Sequence, residues 1–140
     1  MDWFSSALAD AGLSLDRSIC ILDKDGPHYS DLDWIMVHLR AMPMLPDAIF
    51  CVNDAISLRL SRVLKQMGIS VPDQVMVAGF DGIPQCAVVE PALSTVQIPS
   101  TDIGRLAADI LLARIGNPDR PYCTTYVKTT PVLRASTSRG

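Results

Sequence analysis

An α/β fold built on a parallel sheet is what this sequence predicts, from three observations. Two short runs, Ala48 to Val52 and Val75 to Ala78, are apolar at every position, as strands buried on both faces are. Segments with helical spacing separate such runs, so strands and helices alternate along the chain. Polar residues follow soon after both runs, Asn53 and Asp54 after the first and Asp81 after the second, where a strand would reach the edge of its sheet.

Each element can be justified in turn. Trp3 to Leu13 puts Phe4, Ala7, Leu8 and Ala11 on one helical face, and Gly12 suits the helix end. Ile19 to Leu22 reads as a short strand, and "DKDGPHYSD" after it is polar and rich in turn formers. Leu32 to Met42 is helical, with Ile35, Met36 and Leu39 on one face and Pro43 and Pro46 to stop it. Asp54 to Met67 is the clearest helix. Ile56, Leu60, Val63, Leu64 and Met67 form its apolar stripe, and Arg59, Arg62, Lys65 and Gln66 lie off it. Asn53 or Asp54 can accept hydrogen bonds from its first turn, and Gly68 closes it.

Leu93 to Ile98 is extended and ends at Pro99. Ser100 or Thr101 would cap a helix that runs to Ile115, with Ile103, Leu106, Ala107, Ile110 and Leu111 turned inward. Gly116 ends it and Pro118 follows. Tyr122 to Leu133 alternates β-formers and reads as a strand. There is no internal repeat, low-complexity tract or linker, so residues 1–140 form one unit.

Composition narrows the function. Of 140 residues 49% are hydrophobic, which is enough for a core. A net charge of -3 and a pI near 5.1 argue against a basic nucleic-acid-binding surface. No apolar run approaches the roughly 20 residues that span a bilayer. The N-terminal stretch "MDWFSSALADAGL" lacks the basic and apolar regions of a signal peptide, so a soluble, cytoplasmic protein without membrane contact is expected. Cys20, Cys51, Cys86 and Cys123 form no CxxC, and the expectation is reduced, mostly buried thiols. His28 and His38 are the only histidines, and no metal site or cofactor is expected. GxSxG, GxGxxG, P-loop and HExxH motifs are absent, so no catalytic residue is assigned and the protein is read as no enzyme. Asp23, Asp25, Asp54 and Lys128 superficially imitate a phosphoacceptor receiver domain. However, Asp25-Gly26-Pro27 reads as a solvated turn, and Lys128 falls inside a strand pattern.

In parallel α/β sheets the ligand crevice lies outside the carboxyl ends of the strands. Asn53, Asp54 and Asp81 should share that edge. A carboxylate there accepts bonds from hydroxyls or amines, and an Asn amide both donates and accepts. The set suits a small polyhydroxylated or nitrogenous ligand. A structural role fits the spacing equally well, with Asp54 capping its helix and Asp81 turning the chain before Gly82.

Three stretches, in order, carry a resemblance. They are "PDAIFCVNDAISLRLSRVLKQMGISVPDQVMVAGFDGI", "PALSTVQIPSTDIGRLAADILL" and "TPVLRASTSR". Together they resemble the LacI/GalR family of bacterial transcription regulators, over nearly the whole chain from Trp3 to Arg139. The resemblance implies the type I periplasmic-binding-protein architecture, in which two α/β subdomains close on an effector such as a sugar, nucleoside or purine. It implies a homodimer that holds operator DNA through an N-terminal helix-turn-helix. Asn53 and Asp81 match effector-binding positions, and Phe80 stands beside Asp81 in the same Gly-Phe-Asp motif. His28 falls near a place where an aromatic ring meets the ligand, with Tyr29 as the alternative. Asp54 is implied to cap its helix. Leu58 and Val89 fall on segments that form the family's dimer face, or are simply core.

The chain departs from the family pattern. The helix-turn-helix, the first subdomain and the first strand of the second are expected to be missing, so operator DNA would be reached only through a domain absent from this chain. Arg59 and Asp33 stand where glycine is frequent. In the family the helix from Thr101 to Ile115 packs on the other subdomain. Without that partner, exposed apolar surface and unpaired strand edges predict a marginal or self-associating chain. The runner-up is the sugar-binding protein of an ABC transporter. The missing signal peptide and the "VLRASTSR" tail argue against it.

Overall fold

The computed structural model describes residues 2–21 and 28–139. Among the described residues four α-helices and four short strands follow in the order α1 (Asp2–Asp10), α2 (Leu32–Ala41), β1 (Ala48–Phe50), α3 (Asp54–Gln66), β2 (Met76–Ala78), β3 (Thr95–Gln97), α4 (Ser100–Gly116) and β4 (Thr130–Val132). Single 3-10 turns occur at Arg17–Ile19, His28–Ser30, Pro84–Ala87 and Ala135–Thr137.

The predicted parallel sheet is present. β1 runs parallel to β2 with Ile49 opposite Val77. β2 and the residues after it pair in parallel with β3 through the bridges Ala78–Ser94 and Asp81–Gln97. β4 adds an antiparallel edge, with Val96 opposite Pro131. The strands therefore lie side by side in chain order, β1-β2-β3-β4. The apolar stripe of α3 packs on this sheet. Leu60, Val63 and Leu64 meet Cys51, Val75, Val77, Cys86 and Leu93, and Ile35 and Leu39 of α2 complete the core.

Several local expectations fail for identifiable reasons. Residues 19–21 are not a strand, because Asp16 accepts from both the N–H and the hydroxyl of Ser18 and winds a 3-10 turn instead. Leu22, Asp23 and Asp25 lie outside the described residues. β1 is not buried on both faces. Phe50 is 48% exposed, with the Phe4 ring stacked on it at 5.8 Å, and Val52 is 69% exposed. α4 starts behind Pro99 with no side-chain cap, so neither Ser100 nor Thr101 serves. None of its residues is buried, and Ile103, Ile110 and Leu111 face outward rather than inward. The long strand expected over residues 122–133 shrinks to β4. Tyr122 leaves it to lay its ring against the Arg114 guanidinium, 4.0 Å away.

The C-terminal turn locks the sheet. Arg134 Nη1 donates to Leu93 C=O (2.6 Å), and the Arg134 N–H donates to Ser94 Oγ (2.7 Å). Ser136 Oγ donates to Val77 C=O (2.6 Å) and accepts from the Ser94 N–H (2.8 Å). No helix among the described residues is long and apolar enough to cross a membrane.

Candidate functional site at the sheet edge

The parallel pairing of β1 and β2 carries both chain exits to one edge. The Cys51 N–H donates to Ala78 C=O (2.9 Å), and the Asp54 N–H donates to Phe80 C=O (2.8 Å). The residues following β1 and those following β2 thus leave the sheet side by side, as the spacing predicts.

The resemblance implied Asp54 as the cap of α3, but Asn53 takes that place. Asn53 is the cap: its Oδ1 accepts from the Ile56 N–H (2.9 Å). Asp54 is fully buried, and its carboxylate turns away from the helix. Oδ2 accepts from the N–H groups of Gly82 (2.7 Å) and Ile83 (2.9 Å), and Oδ1 accepts from Thr95 Oγ1 (2.6 Å). Gly79 is what makes room for it. A Cβ there would run into the Asp54 carboxylate and come within 2.6 Å of Ser57 Oγ.

Asp81 behaves differently from Asp54. Its N–H donates to Val96 C=O (3.1 Å) and its C=O accepts from the Ile98 N–H (3.2 Å), which ties its backbone to β3. Its φ is +120°, a region that non-glycine residues seldom occupy. Its side chain is half-buried, and no described residue donates to its carboxylate. The Asn53 Nδ2 group likewise has no protein acceptor among the described residues. Phe80, also half-buried, sits between Gly79 and Asp81.

His28 and Tyr29 share a third aromatic ring in their described contacts. Their rings meet Trp34, stacked at 5.7 Å and edge-on at 6.1 Å. His38, 3.8 Å from the same indole, also hydrogen-bonds Trp34 C=O through Nδ1 (2.8 Å). Leu58 and Val89 are half-buried against the core, whereas Val88 is 83% exposed.

Two thiols lie close to the carboxylate network. Burial pushes the Cys51 thiol up to about 11; a hydrogen bond with Ser57 opposes the shift and the Asp54 charge adds to it. Burial also pushes the Cys86 thiol up to about 11, helped by the Asp54 carboxylate as hydrogen-bond partner and as charge. Cys20 is half-exposed and Cys123 exposed, so burial holds for two of the four. Among the described residues no group of three or more His, Cys, Asp or Glu could hold a metal ion.

Two surface hollows lie away from this edge. One of about 420 Å³ is lined by Leu133, Arg134, Ala135, Thr137 and Ser138, and one of about 330 Å³ lies by Lys65, Gly68 and Glu90. The Arg134 and Thr137 groups at the first are already bonded within the chain, so it offers little polar chemistry to a ligand. Asn53 and Asp81, by contrast, stand where the chain leaves β1 and β2 at one edge of the sheet.

The family model for a periplasmic binding protein-like domain matches residues 1–137. The chain belongs to this family, in its LacI-type branch. The ribose operon repressor of Haemophilus influenzae is 36% identical over 91 residues, which is 65% of this chain and 27% of that protein. A protein assigned to the LacI family of transcriptional regulators, from Sanguibacter keddieii, superposes with a TM-score of 0.85 at 29% identity, covering 97% of this chain and 50% of that one. The transcriptional regulator CelR, solved as its cellobiose complex, gives a TM-score of 0.83 at 27% identity, covering 95% and 40%. The matches thus span between about a quarter and a half of these relatives. The relatives are transcriptional regulators, not transport proteins or enzymes, so the LacI-type reading stands and the transporter reading is set aside.

Sequence reasoning placed Asn53 and Asp81 on one edge of the sheet but missed what arranges them. Gly79 and Thr95 both stand inside the quoted motifs. Their tasks, making space for Asp54 and bonding to it, depend on contacts between distant parts of the chain.

Proposed function

We propose that this chain is the effector-sensing part of a LacI-type transcriptional regulator. The effector is a sugar, held at the rim by Asn53 Nδ2 and the Asp81 carboxylate, with Phe80 beside them. One observation carries this reading: two polar groups without protein partners among the described residues stand on the edge of a parallel sheet, the edge at which ligands bind in such sheets. Sugar hydroxyls donate to the carboxylate and accept from the amide. The names of two relatives, a ribose operon repressor and a cellobiose-bound regulator, support the sugar class. His28 or Tyr29, whose rings meet Trp34, would contribute an aromatic edge.

In this reading the sugar favours a closed state, and closure alters how a homodimer holds operator DNA. The DNA is reached through a domain outside this chain, in the cytoplasm. Leu58 and Val89, with the exposed Val88 beside the latter, mark the dimer face. Catalysis has no part in the mechanism.

Calorimetric titration with D-ribose and with cellobiose tests the proposal. Asp81→Asn should weaken the sugar that binds by roughly 10- to 100-fold, the worth of a hydrogen bond to a charged group. Equal affinity in wild type and Asp81→Asn would refute the assignment. Sedimentation of wild type and Leu58→Glu tests the dimer face, where an unchanged dimer would remove Leu58 from it.

A further inference from the structure

Asp81 holds a backbone conformation that side-chain-bearing residues avoid, at φ +120°. Such a conformation persists only where its surroundings over-determine it. β3 holds Asp81 itself through its N–H and C=O, and Asp54 holds the residues on either side of it. The Asp54 N–H takes the C=O of Phe80, immediately before Asp81 (2.8 Å). The Asp54 carboxylate takes the N–H groups of Gly82 (2.7 Å) and Ile83 (2.9 Å), immediately after it. Asp54 therefore brackets Asp81 along the chain. Its other oxygen is anchored by Thr95 Oγ1 (2.6 Å) on β3, the strand that also pairs with Asp81.

We infer that Asp54 is a positioning residue for the effector site. It holds the Phe80–Ile83 backbone so that the Asp81 carboxylate is presented with no donor among the described residues. Asp54 itself cannot touch an effector, because it is fully buried. A carboxylate suits the task because it only accepts, and three donors converge on it. An Asn of the same shape would turn an NH₂ group toward one of those donors.

This rests on the reading of Asp81 as an effector contact, so the test separates the two claims. Asp54→Asn and Thr95→Val are compared with Val63→Ala, a control that weakens the core of α3 without touching the network. The three-bond HN–Hα coupling of Asp81 reports its φ without any ligand, and calorimetry with D-ribose and cellobiose reports affinity. Positioning predicts a changed Asp81 coupling in Asp54→Asn, an affinity loss of roughly tenfold or more, and a wild-type coupling in Val63→Ala. If Asp54→Asn does not fold, Thr95→Val carries the same expectations in weaker form. An Asp81 coupling unchanged by the network variants, or an affinity loss no greater than that of Val63→Ala, overturns the inference. If wild type binds neither sugar, the sugar reading fails and the coupling alone decides whether Asp54 sets the Asp81 backbone.

Discussion

Ser136→Ala should remove a substantial part of the stability of this fold. Ser136 is 1% exposed, and its hydroxyl occupies a rung between β2 and β3, donating to Val77 C=O and accepting from the Ser94 N–H at 2.6 and 2.8 Å. The next rung along, Gly79 N–H to Ser94 C=O (3.0 Å), is direct. At Ser136 the two backbones are instead linked through a side chain that lies 42 and 59 residues from its partners in sequence. Truncation leaves one donor and one acceptor buried without partners, at about 1–3 kcal/mol each. The expected loss is about 2–4 kcal/mol, a large share of the roughly 5–15 kcal/mol that stabilises a typical domain. Urea unfolding followed by far-UV circular dichroism measures it as a lower midpoint with an unchanged slope. A loss below about 0.5 kcal/mol would mean that the rung is dispensable and that the tail does not splice the sheet.

Two further predictions concern the carboxylate network. Gly79→Ala should cost about 1–3 kcal/mol by urea unfolding, because its Cβ would displace the Asp54 carboxylate or the Ser57 hydroxyl; a neutral effect would show that the approach relaxes easily. Alkali should destabilise the protein through its buried thiols. Cys51 holds its proton up to about pH 11 in the folded chain, above the value of an unfolded thiol. Its stabilising contribution is therefore complete below about pH 9 and is lost as pH rises toward 11, by about 2–3 kcal/mol for this one group. Urea midpoints from pH 8 to 11 should fall more steeply in wild type than in Cys51→Ala, and parallel slopes would count against the buried thiol as the cause.

The helices and the sheet were legible because their signals are local. The stripe of Ile56, Leu60, Val63 and Leu64 sets which face of α3 turns inward, whatever lies beneath it. The apolar runs at β1 and β2 marked strands, and their ends marked the edge where Asn53 and Asp81 stand. The same kind of signal misled at α4. Periodic apolar residues state that a face favours burial, but they do not name a partner, and in this chain that face is open. At residues 19–21 a side-chain bond from Asp16 outweighed a weak strand preference. At residues 122–129 alternation without a neighbouring strand did not suffice.

The adjacent pair Asn53 and Asp54 shows where sequence reasoning stops. Both side chains carry acceptors suited to a helix N-terminus, and spacing alone cannot rank them. Asn53 caps through a donor three residues away, whereas Asp54 reaches donors 28, 29 and 41 residues away. By itself the sequence determined the succession of helices and parallel strands, the faces that α2 and α3 bury and the edge to which the polar residues come. Tertiary structure alone decided which carboxylate is enclosed and which stays available, because that choice depends on donors brought together only when β1, β2 and β3 pair. Periodicity acts over a few neighbouring residues, whereas convergent hydrogen bonding requires the closed sheet.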